Sequence, residues 1–136
     1  MISLSYNYCF LARWNATAIT IAGSAAGTPG VNASLFYGPY GLALDSSNAL
    51  YVADYSNNRT QKWTVGASYG ITVAGLENGT AGASSVALFK PVGIVLDSNN
   101  NMYISDRGNH RVMFWADGAS NGTVYAGITG KKVHIK

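Results

Sequence analysis

The sequence predicts an all-β fold, a partial β-propeller built from antiparallel four-stranded blades. Three observations predict it. The chain aligns with itself at an offset of 52, where Pro39 to Gly75 meets Pro91 to Gly127 without a gap and 17 of 37 pairs are identical. Each copy holds four short segments rich in β-branched and aromatic residues, bounded by Gly, Asn, Ser or Asp. No segment has the 3.6-residue period of a helix. A four-stranded unit repeated about every 40 to 50 residues is the pattern of stacked propeller blades.

Within the first full copy the four segments are a, Gly41 to Asp45; b, Leu50 to Asp54; c, Arg59 to Trp63; and d, Ile71 to Ala74. The a–b link, Ser46 to Ala49, and the b–c link, Tyr55 to Asn58, are short enough for hairpins, so the strands form a meander. The links after strand d, Gly23 to Tyr37 and Gly75 to Lys90, are long and rich in Gly, Ala and Ser, and lead from one unit to the next. Met1 to Trp14 matches Met102 to Trp115 at an offset of 101, a degenerate copy that begins at strand b. The expected organisation is an incomplete blade over 1–23 (strands b to d), a first blade over 24–75, a second over 76–127, and a basic tail over 128–136.

Composition narrows the function classes. The 136 residues are 48% hydrophobic and 11% charged, which suits a folded domain. Apolar runs stop at four or five residues, so no membrane-spanning helix is expected. One cysteine, Cys9, and two histidines exclude an internal disulfide framework and a structural zinc site, and no metal or cofactor is expected. The net charge of +3 comes wholly from Lys131, Lys132 and Lys136, since residues 1–130 hold six cations and six carboxylates. A neutral body argues against nucleic acid as the partner.

Leu35-Phe-Tyr-Gly-Pro-Tyr-Gly-Leu-Ala-Leu-Asp45, Leu50-Tyr-Val-Ala-Asp54 and Asn57-Asn-Arg59 through Trp63 resemble the NHL repeat, and Leu88 to Asp97, Met102 to Asp106 and Asn109 to Trp115 are similar throughout. The resemblance implies a propeller of the NHL type, usually of six blades. At 52 residues per blade the chain supplies 2.6 units, so a ring closes only with further blades of a longer protein, of which this is expected to be a fragment, or by self-assembly.

Asp54 and Arg59, and Asp106 and Arg111, recur at one spacing across the b–c turn and read as a structural clamp. The degenerate copy has Ser5 and Phe10 at these positions, so both partners are lost together, as mutual pairing predicts. Trp14, Trp63 and Trp115, with Tyr51 and Tyr103, hold fixed strand positions and read as inter-blade core. Asp45 and Asp97 read as caps of the a–b turn. Tyr37, Tyr40, Tyr55, Arg107 and His110 lie in or beside the b–c and d–a links, where copies diverge, and are the expected binding residues.

No catalytic residue is expected, because neither His110 nor His134 joins a Ser/His/Asp or Cys/His arrangement. Some NHL-like propellers are amidating lyases with channel-facing histidines. The strand a segments of these two blades contain none. Five sequons, at Asn15, Asn32, Asn58, Asn78 and Asn121, begin in links and favour an extracellular glycoprotein over a cytoplasmic protein. The expected function is a non-catalytic scaffold that binds a protein, peptide or glycan. The alternative is part of an NHL-containing enzyme, either amidating-lyase-like or the substrate-recognition region of a RING-type ubiquitin ligase whose catalytic part lies outside this chain.

Overall fold

A computed structural model describes residues 18–128. They form two four-stranded antiparallel meanders: β1 (Pro39–Leu44), β2 (Leu50–Asp54), β3 (Arg59–Trp63) and β4 (Ile71–Gly75), then β5 (Pro91–Leu96), β6 (Met102–Asp106), β7 (Arg111–Trp115) and β8 (Thr123–Gly127). The fold is a partial β-propeller with two blades described. The expected segments match these strands to within two residues. Strand a starts earlier, at Pro39 and Pro91, because those residues pair with Asp54 and Asp106 across an irregular step in the ladder.

The registers repeat from blade to blade, with Leu50 opposite Trp63 in the first and Met102 opposite Trp115 in the second. The a–b turn is closed by an aspartate. Asp45 Oδ1 accepts the N–H groups of Ser47 and Ala49, both at 2.9 Å, and Asp97 Oδ1 those of Asn99 and Asn101, both at 2.9 Å. Asn48 and Asn100 take the left-handed residue of the turn, each at φ 62°, which asparagine tolerates better than most residues. The b–c links differ from a plain hairpin. Tyr55–Asn57 and Arg107–Asn109 each form one 3₁₀ turn, ended by Asn58 and His110 in the left-handed conformation.

Pleat alternation gives each blade two apolar faces, and one face of each meets the other. Tyr51, Ala53 and Ala74 of the first blade pack against Leu88, Ile94, Met102, Ile104, Met113 and Trp115 of the second. The backbones converge at β1 and β5, where a Cβ added to Gly41 would lie 2.3 Å from the Val92 carbonyl oxygen. Tyr51 is buried as a core residue; Tyr103 is only partly buried, because it lies on the far face of the second blade. Trp63 packs on the other side of the first blade, its ring 5.4 Å from Phe36. Trp14 lies outside the described residues, as does most of the incomplete blade. Residues 18–23, where its strand d falls, carry no strand.

Candidate functional site

The b–c turns of both blades are tied to the preceding d–a links by the same buried group. Asp54 Oδ2 accepts from Arg59 Nε at 3.0 Å and from Asn57 Nδ2 at 2.9 Å, while its Oδ1 accepts the Tyr37 N–H at 2.8 Å. Arg59 then donates to the carbonyls of Glu77, Asn32 and Leu35. The second blade repeats the arrangement: Asp106 accepts from Arg111 Nε at 2.7 Å, Asn109 Nδ2 at 2.8 Å and the Phe89 N–H at 2.7 Å. Arg111 reaches the carbonyls of Ala83, Ser84 and Ala87. The carboxylates are fully buried, so each guanidinium neutralises its partner where water cannot. The ion pair therefore holds three chain segments together, a wider reach than a clamp across one turn.

This fixed frame presents a cleft of about 480 Å³ between the blades, lined by Gly38, Pro39, Tyr40, Tyr55, Val92 and Arg107. The volume falls in the range of small-ligand and side-chain pockets. Three of the five expected binding residues meet here. The rings of Tyr40 and Tyr55 lie 5.9 Å apart, and Arg107 Nη1 donates to the Tyr55 hydroxyl at 3.0 Å across the blade boundary. Tyr40 keeps 72% of its surface exposed and is not part of the core. Tyr37 stands apart, its backbone committed to Asp54 and Ser56. His110 flanks Arg107 on the far side, on a shallow surface with Ser105 and Val112.

Lys90, which was not among the expected binding residues, lies beside the cleft against Tyr55. Its Nζ lies 5.7 Å from the Tyr55 ring centroid and 5.5 Å from that of Phe89, close enough for cation–π attraction. Its backbone N–H donates to Asn58 Oδ1 at 2.9 Å, which fastens the second blade's d–a link to the first blade's b–c turn. The signal in the sequence was the pairing of Gly38 with Lys90 at the 52-residue offset, one residue before the gap-free alignment starts.

A second cavity, of about 450 Å³, lies elsewhere, beside Trp63, Leu44, Leu50 and Ile19 to Ile21, and has no charged lining residue. Among the described residues no three His, Cys, Asp or Glu side chains come together as metal ligands. Asn32, Asn78 and Asn121 are exposed. Asn58 is half-buried, its amide nitrogen donates to the Gly79 carbonyl at 3.0 Å, and Thr60 of its sequon is fully buried. Asn15 lies outside the described residues.

Two packed four-stranded meanders define a propeller-type domain. The model of the NHL repeat matches residues 36–63 and 90–112, and these two blades are NHL repeats. A comparison with curated proteins finds no match.

Proposed function

We propose that the protein is a non-catalytic scaffold that binds a peptide segment of a partner protein in the cleft between its two NHL blades. NHL repeats form propeller-type domains that commonly serve protein binding. The observation that carries the assignment to this cleft is the Tyr40–Tyr55–Arg107 constellation, in which exposed Tyr40 and Arg107 from two blades flank the half-buried Tyr55, which Arg107 hydrogen-bonds, beside Pro39 and Val92. Aromatic and arginine side chains are the residue types that dominate peptide and protein hot spots. They sit on a frame locked by buried ion pairs, so little ordering entropy is lost when a ligand docks.

The test is selection of a displayed library of random dodecapeptides on the whole chain. The wild-type protein is expected to enrich a consensus sequence that Tyr40→Ala no longer binds. Because Tyr40 is largely exposed, that variant keeps the melting temperature of the parent. A consensus that Tyr40→Ala binds as tightly as the wild type would place the docking surface elsewhere and overturn the reading.

A further inference from the structure

We infer that the cleft selects an acidic peptide, with one Asp or Glu carboxylate seated between Lys90 and Arg107; this rests on the peptide-docking reading above. Among the described residues the ion pairs are Arg59 with Asp54, Arg111 with Asp106 and Lys62 with Asp45. Among the described residues, Lys90 and Arg107 have no carboxylate partner. Arg107 uses one N–H on the Tyr55 hydroxyl, and the rest of its planar fork stays available. Tyr55 therefore gathers both cations, one through its ring and one through its hydroxyl.

The backbone at Lys90 supplies an independent reason. Lys90 has φ 54°, while Gly38, at the same position of the first blade, has φ 66°. Glycine takes this left-handed conformation freely, and a lysine takes it at a cost in backbone strain. A lysine at a glycine position, held in place by the Asn58 side chain, is the kind of local strain that points to a binding role.

Charge count separates this ligand from a polyanion. Residues 18–128 hold five lysines and arginines against six carboxylates, and three of the five cations are already paired within the fold. Nucleic acid needs a track of cations along successive phosphates. Two cations that meet at one tyrosine suit a single carboxylate.

The experiment uses the peptides enriched from the random dodecapeptide library on the whole chain. They are expected to share an Asp or Glu at one position. Exchange of that residue for its amide is expected to weaken binding to the wild type by about tenfold, and to Arg107→Gln by less than about twofold. Lys90→Gly is expected to bind the acidic peptide more weakly while holding or raising the melting temperature, because it removes the cation and relieves the backbone together. That combination is one a purely structural lysine would not give. A consensus without an acidic residue, or undiminished binding by both Lys90→Gly and Arg107→Gln, overturns the carboxylate while leaving peptide docking intact. No consensus at all removes the docking reading as well. A fluorescein-labelled oligouridylate decamer that displaces the peptide, with affinity falling steeply in salt, overturns the inference in favour of nucleic acid.

Discussion

Asp54 and Arg59 show how much one pair of residues can hold. The carboxylate is desolvated, yet it accepts from a guanidinium, a side-chain amide and a backbone amide, so its charge is compensated on both oxygens. Arg59 spends its remaining donors on carbonyls 18 to 27 residues distant. Removal of one partner leaves an unpaired buried charge. Arg59→Ala is expected to destabilise the protein by about 3 to 5 kcal/mol. A urea-melt double-mutant cycle with Asp54→Ala checks the pairing, with a coupling above about 1 kcal/mol expected. Additive single losses would mean that the two side chains act separately. The spacing of this pair was legible in the sequence, and so was its joint loss at Ser5 and Phe10. Its carbonyl partners were not, because they are brought near only when the d–a link folds back over the turn.

Strands and turns follow the same logic one level up. Gly41 and Gly93 occupy equivalent positions, but only Gly41 faces another backbone. A Cβ on Gly41 would meet the Val92 carbonyl at 2.3 Å, whereas one on Gly93 would meet the Ser105 hydroxyl oxygen at 3.3 Å, the end of a movable side chain. Gly41→Ala is expected to cost about 1 to 3 kcal/mol in urea melts, and Gly93→Ala less than about 1 kcal/mol. Equal losses would show that the blades do not converge at β1 and β5. The a–b turns make a pH-dependent contribution. Burial pushes the Asp45 carboxyl up, but the amides of Ala49 and Ser47 and the Lys62 ammonium outweigh it and hold the group below the usual aspartate value. The Asn101 side chain and the amides of Asn101 and Asn99 hold Asp97 down as well. A depressed folded pKa means that this stabilisation is complete above about pH 4 and is lost as the pH falls through the folded value. Carbon-detected NMR titration is expected to give both carboxyls midpoints below that of a blocked aspartate peptide. A midpoint at or above the peptide value would contradict the turn geometry.

For the whole molecule the decisive feature is the far face of the second blade. Val95, Tyr103, Phe114 and Tyr125 occupy the positions that Ala43, Tyr51, Lys62 and Val73 hold in the first blade. On the first blade the second covers that face, so Tyr51 is 1% exposed; on the second, Val95 and Tyr125 each remain 65% exposed. Tyr103 and Tyr125 stack edge to face at 4.8 Å, and Phe114 lies 5.3 Å from Tyr103, which makes one continuous aromatic patch. A patch of this kind favours contact with another blade. Light scattering on the purified chain is expected to give a mass above the monomer, and three copies with two blades each would make a ring of six. Phe114→Lys, which restores the residue of the first blade, is expected to lower the mass. A stable monomer with a cooperative melt would show that the face needs no cover.

The sequence by itself determined the blades. Strand length, turn residues and the 52-residue repeat are local quantities, and β2, β3, β6 and β7 begin and end where alternation and turn chemistry place them. It also singled out Tyr40, Tyr55 and Arg107 by their divergence from their copies. Only the tertiary structure decided that these three meet while Tyr37 and His110 stand aside, that Lys90 joins them, and that Tyr103 is left partly exposed while Tyr51 is buried. Those outcomes depend on which face of one blade covers the next, and on a d–a link that folds over a turn some 32 residues away in sequence, as Lys90 does over Asn58. Packing between repeats sets such contacts, and the repeat pattern within one blade carries no record of them.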